Sequence, residues 1–216
     1  MTAADLFGAL TTRPPLDPEL APVEEARGAF FPDLSDETLP EIRRQIAAGS
    51  PGLDSEVLTA GGSVRVEERQ VPGPEGAPDI TVLILSPVED RGPKGGILSL
   101  HGGGMIMGGR RDHVGHLLPL VIEGSAVVVS VEYRLAPDHP DPAPVEDCYA
   151  GLVWMAKNAA ELGIDPERLL IAGVSGGGGL AAGTALLARD RALPDAPGWM
   201  NHTKGSPRPA GQRREL

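Results

Sequence analysis

The segment that decides the fold runs from Leu170 to Gly183, "LIAGVSGGGGLAAG", where one serine, Ser175, stands among glycines at 173 and 176 to 179, directly after an apolar run. Gly173 to Gly177 have the spacing G-x-S-x-G. A chain that turns sharply from strand into helix holds its central residue in a strained backbone conformation and crowds the neighbouring positions. Glycine at 173 and 177 removes the side chains that would clash there. The same turn aims the Ser175 hydroxyl at the start of the following helix, where unpaired backbone N–H groups stabilise developing negative charge. Gly176 then offers an amide beside the hydroxyl, and Gly178 and Gly179 are expected to allow close helix packing. Glycine-rich strand-to-helix loops also hold phosphates, so the motif alone leaves two readings open. Gly173, Gly176 and Gly179 are spaced G-x-x-G-x-x-G, unlike the dinucleotide fingerprint, and no Gly-Lys-Ser/Thr follows as a P-loop requires.

A second glycine loop lies upstream, in "LSLHGGGM" from Leu98 to Met105, again directly after a strand-like run. Backbone without side chains can approach an oxyanion to hydrogen-bond distance, and one such donor is worth about 3–4 kcal/mol of transition-state stabilisation. H-G-G-G of this kind supplies oxyanion-hole amides in lipases and esterases. The place of His101 before the glycines favours a role in fixing the loop over that of a base.

The pattern around these loops is strand, loop, helix, repeated, as in a parallel sheet with crossover helices. "GGILSLHGGG" reads as strand and loop, "DHVGHLLPLVIEG" as helix, "SAVVVSVEYR" as strand. "PVEDCYAGLVWMAKNAAELG" reads as a helix ended by Gly163, "ERLLIAG" as the next strand and "GLAAGTALLARD" as the next helix. Before them, "VRVEERQV" and "ITVLILS" flank the turn-rich "PGPEGAPD" and suit an antiparallel hairpin. Residues 1–60 form a helical attachment, in which "SDETLPEIRRQIAAG" is an amphipathic helix capped by Ser35 or Asp36 and stopped at Gly49. Cys148 falls in a helical pattern and is read as a small core residue.

Three stretches together resemble the hormone-sensitive-lipase-like group of α/β-hydrolases, the fold-3 group: "HGGGMIMGG", "VEYRLAPDHPDPAPVEDCYAGLVWM" and "GIDPERLLIAGVSGGGGLAAG". The resemblance implies an α/β fold, with a mostly parallel sheet, flanking helices and an N-terminal helical cap. It covers residues 61–193, a partial catalytic domain, and matches residues 1–60 to the cap. Carried over by position, it makes Ser175 the catalytic nucleophile and the amides of Gly103, Gly104 and Gly176 the oxyanion hole. His101, Gly102, Gly173, Gly177 and Glu132 become supports of the two motifs. Glu132, Tyr133 and Arg134 match the family's E-Y-R segment, and a solvated ion pair of Glu132 with Arg134 remains an equal alternative. The resemblance implies a small ester substrate, an acyl-enzyme mechanism, and no cofactor or metal. The family often has an acidic residue before the serine and alanine after it; Val174 and Gly176 stand there instead.

The triad partners of the nucleophile, in the order Ser, Asp or Glu, His, lie in this family on loops after later strands. Asp195 and His202 follow Ser175 in that order, but no strand-like run separates them, so neither is a credible partner. His113, His116 and His139 precede the nucleophile and read as loop or surface residues. Residues 194–216 change character: from 199 onward four cations, Lys204, Arg208, Arg213 and Arg214, face Glu215 alone, and no apolar run remains. Such a tail is expected to be disordered and unlike the family, as though the chain ended early through a shifted frame, a retained intron or a faulty gene model. On that reading the C-terminal strands are lacking and "RLLIAG" is an unpaired apolar edge. A ligand-binding relative without turnover, or a truncated product with no function, are the alternatives to an ester hydrolase.

Composition narrows the partners. Nineteen Lys and Arg face 30 Asp and Glu, for a net charge of −11, which disfavours nucleic acid and anionic membrane surfaces. The first residues show no basic segment followed by an apolar one, and no window approaches a membrane span, so the expectation is a cytoplasmic protein. A lone cysteine excludes an internal disulfide, and no Cys/His cluster has zinc-finger spacing.

Overall fold

Two apolar runs, "ITVLILS" and "SAVVVSV", are too continuous for strands with one wet face, and their residues are buried on both sides of a sheet. The computed structural model describes residues 17–19, 22, 34–49, 55–89 and 92–191. The chain divides into two units, Met1–Ile42 and Arg43–Leu216. Helix α1 (Leu39–Gly49) is preceded by a capping box in which Ser35 N donates to Thr38 Oγ1 at 3.0 Å and Thr38 N donates to Ser35 Oγ at 3.3 Å. Of the two expected caps, Ser35 is the one used, and the helix does stop at Gly49.

A short helix α2 (Ser55–Thr59) leads into β1 (Val64–Val71) and β2 (Ile80–Pro87). These pair antiparallel, as the hairpin pattern predicts. Then follow β3 (Lys94–Leu100), α3 (Leu118–Ile122), β4 (Ala126–Glu132), α4 (Ala143–Lys157), β5 (Ile164–Gly173) and α5 (Gly176–Asp190). The strand order is β1-β2-β4-β3-β5; β2 and β4 are antiparallel, and β3 is parallel to both β4 and β5.

The period of two in strands sends alternate residues to opposite cores. Val82, Ile84, Leu98, Leu100, Val129 and Val131 pack with Cys148, Leu152, Met155 and Leu180 of α4 and α5. Leu83, Leu85, Ile97 and Val128 pack on the other face with Leu58, Val114, Leu117 and Val121. Cys148 is fully buried, as a core residue should be. Among the described residues β5 is the last strand of the sheet, with Leu170 56% exposed.

Several boundaries differ from the sequence pattern. The helix expected over "DHVGHLLPLVIEG" is confined to a 3-10 turn (Gly115–Leu117) and α3. Its first residues are drawn into a turn, with Gly109 N donating to Asp112 Oδ2 and Asp112 N to Gly109 O, both at 2.9 Å, and with His113 at φ 62°. Helix α4 ends at Lys157, before Gly163, and Asn158 caps it, with N and Nδ2 both donating to Trp154 O at 3.0 and 2.8 Å. Gly178 and Gly179 are not packing glycines, since a Cβ on either would make only ordinary contacts, nearest at 3.4 and 3.7 Å. The close approaches lie at Gly183, where a Cβ would lie 3.2 Å from Val145 Cγ2, and at Gly151, where it would lie 2.8 Å from Val131 Cγ2. The proposed tail, Asp195 and His202 lie outside the described residues.

Candidate active site

The register of β3 with β5 pairs Leu100 with Gly173, so the two glycine loops leave neighbouring parallel strands at the same end of the sheet. This is the topological reason that two motifs far apart in sequence meet. Ser175 sits at the joint between β5 and α5 with φ 53° and ψ −118°. A non-glycine residue there costs roughly 1–3 kcal/mol of backbone strain, which the surroundings must offset. They do so by exclusion: a Cβ on Gly177 would overlap the carbonyl oxygens of Leu100 and His101, and a Cβ on Gly173 would overlap that of Gly177. Val174 N donates to Leu100 O at 3.3 Å and Gly177 N to Val174 O at 2.9 Å, closing the elbow onto the end of β3.

The H-G-G-G loop faces this elbow. A Cβ placed on Gly176 would lie 3.1 Å from Gly104 N and 3.3 Å from Met105 N. One placed on Gly102 would lie 3.6 Å from Ser175 Cβ. Gly103 and Gly104 have φ of 109° and 63°, and Met105, without glycine's freedom, has φ 65°. Among the described residues the amides of Gly103, Gly104, Met105 and Gly176 have no hydrogen-bond acceptor within the chain. Four unspent donors thus lie on the two loops that meet beside Ser175. Met105 was not legible as one of them, because its left-handed backbone is not signalled by its residue type.

The carbonyls of His101, Gly102 and Gly103 are engaged. The Tyr133 hydroxyl donates to His101 O at 2.7 Å, and the Tyr133 and His101 rings stack at 4.0 Å. His101 Nδ1 lies 2.8 Å from Gly102 O; a carbonyl only accepts, so Nδ1 carries the proton. Burial holds His101 below the usual histidine range, and its ring is fully buried with Nε2 unpartnered. Gly103 O accepts from Ile106 N and Met107 N, each at 3.1 Å. The His101 ring is thus bonded to the loop's own backbone and closed off from solvent.

Glu132 does not pair with Arg134. Glu132 Oε2 accepts from Arg110 N at 2.8 Å and from Arg110 Nη1 at 2.9 Å, while Arg110 Nη2 reaches Glu68 at 2.7 Å. Burial opposes the Arg110 charge, but the two carboxylates outweigh it and hold the guanidinium above its usual value. Arg134 makes a bidentate pair with the fully buried Asp147 at 2.7 and 2.8 Å. Asp147, although inside the stretch that resembles the family, and Arg110, just past the glycine loop, were missed in sequence because nothing local names their partners. So was the position of His113, an exposed ring whose Cε1 lies 3.4 Å from the Gly102 Cβ position, on the Ser175 side of the loop. Among the described residues no cluster of His, Cys, Asp and Glu could hold a metal, and no helix is long and apolar enough to cross a membrane.

A sequence model of the alpha/beta hydrolase fold matches residues 97–212, more than half of the chain and both glycine loops. The chain belongs to this family, in its hormone-sensitive-lipase-like branch. It is similar to the carboxylesterase NlhH of Mycobacterium tuberculosis, 45% identical over 127 residues that make up 59% of this chain and 40% of that protein. An arylesterase of Saccharolobus solfataricus is 34% identical over 83% of this chain and 56% of its own length. Among solved structures, a bacterial heroin esterase superposes with a TM-score of 0.68 at 38% identity, covering 82% of this chain and 54% of that one. An esterase of Pyrobaculum calidifontis gives 0.65 at 35% identity, covering 83% and 56%. The chain thus spans about half the length of the relatives it matches.

Proposed function

We propose that this chain carries the nucleophile and oxyanion hole of a carboxylic-ester hydrolase. The observation that supports the reading is the set of four amides without acceptors on the two loops that meet at Ser175, whose backbone is strained at the joint between β5 and α5. Ser175 Oγ attacks the ester carbonyl carbon and loses its proton to a base. The carbonyl oxygen, now negative, is met by the amides of Gly103, Gly104 and Gly176, with that of Met105 beside them. Collapse of this intermediate breaks the bond to the alcohol, which leaves with a proton, and water then hydrolyses the acyl-serine.

The base is the open part of the machinery. In the family it follows the elbow, and residues after Arg191 lie outside the described ones. A nucleophile site without its imidazole retains about 10³–10⁴ over water through the oxyanion hole and binding. The test is release of p-nitrophenol from p-nitrophenyl acetate by this chain and by Ser175→Ala. Slow release that disappears in Ser175→Ala is expected; equal release by both would overturn the reading, and saturable ester binding without release would favour a ligand-binding protein.

A further inference from the structure

Arg43, in α1, sends its whole guanidinium onto the back of the oxyanion loop. Nε donates to Ile106 O at 2.7 Å, Nη2 to Ala136 O at 2.7 Å and Nη1 to Asp138 Oδ2 at 2.6 Å. Ala136 N in turn donates to Met105 O at 2.9 Å, so the loops after β3 and β4 are tied together under the same side chain. Asp138 is 62% exposed against 28% for Arg43. The ion pair is therefore the weak member of the three, and the two backbone carbonyls are what the fork is built around.

A trans peptide is flat, with its C=O and N–H pointing opposite ways, so holding the carbonyl aims the amide of the same plane. Ile106 C=O shares a plane with Met107 N–H, which donates to Gly103 O at 3.1 Å. Gly103 C=O shares a plane with Gly104 N–H, one of the unspent amides opposite Gly176. Two peptide planes therefore run in line from the Arg43 guanidinium to an oxyanion donor. We infer that Arg43 is a positioning residue, which sets the direction of the Gly104 N–H through the Ile106 and Gly103 carbonyls. This makes Arg43 part of the machinery that stabilises the oxyanion, and it rests on the ester-hydrolase reading of Ser175. Lysine cannot replace it, since a single ammonium does not present donors in two fixed directions.

The experiment measures the Ser175-dependent release of p-nitrophenol from p-nitrophenyl acetate across ester concentrations. Arg43→Ala and Arg43→Lys are expected to lower the maximal rate roughly ten- to hundredfold while KM stays within about twofold, because only the transition-state contact is misaimed. Added guanidinium ion should restore part of the Arg43→Ala rate without accelerating the wild-type chain, and Asp138→Asn should leave the rate unchanged. If Arg43→Ala does not fold, Arg43→Lys decides. A wild-type rate in either arginine variant, or a loss expressed entirely in KM, would overturn the inference. Equal release by Ser175→Ala and wild type would instead overturn the ester-hydrolase reading beneath it.

Discussion

The two glycine loops that meet at Ser175 are held by different means. The elbow is held by exclusion: Gly173 and Gly177 are compulsory because backbone already occupies the space of their side chains, and its hydrogen bonds are all backbone to backbone. The H-G-G-G loop shares that exclusion at Gly103, where a Cβ would overlap Met107 O, but it also depends on side-chain donors to its carbonyls, from His101, Tyr133 and Arg43. An elbow of the first kind is rigid as soon as β3 and β5 pair. A loop of the second kind is only as well placed as the residues behind it, so its amides can be misaimed without unfolding the protein.

That contrast can be broken most sharply at Gly177. Gly177→Ala forces a Cβ into the carbonyl oxygens of Leu100, the last residue of β3, and of His101, and we expect a loss of about 3 kcal/mol or more in denaturant unfolding. A loss under roughly 0.5 kcal/mol would mean that the elbow yields and is not held by exclusion. Tyr133→Phe should cost less, about 1–3 kcal/mol, by leaving the buried His101 carbonyl without its donor. It should also slow ester cleavage at temperatures where the variant remains folded. Gly178→Ala probes a glycine that exclusion does not require, so helix propensity should stabilise the chain by up to about 1 kcal/mol, read as a raised denaturation midpoint.

The smallest effect near neutral pH belongs to His101. Burial depresses its folded pKa, so the unfolded chain binds the proton first as pH falls below about 6.5. The stability it contributes is complete above that pH and is lost progressively as pH falls toward the folded value. Urea unfolding between neutral and mildly acid pH should show this decline, and His101→Gln should flatten it.

The same contrast explains what the sequence made legible. Glycines demanded by exclusion leave a spaced motif, which is why G-V-S-G-G and H-G-G-G could be read with the strands before them. The continuous apolar runs of β2 and β4, and the turn-rich hairpin segment, are equally local signals. Arg43 and Arg110 act across 22 to 95 residues and Asp147 across 13, and nothing in their own neighbourhoods distinguishes them from surface charges. Met105 and His113 take left-handed backbone that their side chains do not announce. The short α3 was misread because Asp112 prefers a turn to the helix its apolar neighbours suggest.

The most direct measurement of the account is peptide mapping by mass spectrometry after treatment with diethyl p-nitrophenyl phosphate, whose phosphoryl oxygen takes the place of the ester oxyanion. The account predicts a diethylphosphoryl group on the peptide containing Ser175, with p-nitrophenol released in step and no adduct in Ser175→Ala. A folded chain whose Ser175 peptide stays unmodified, or one labelled equally in Ser175→Ala, would contradict it.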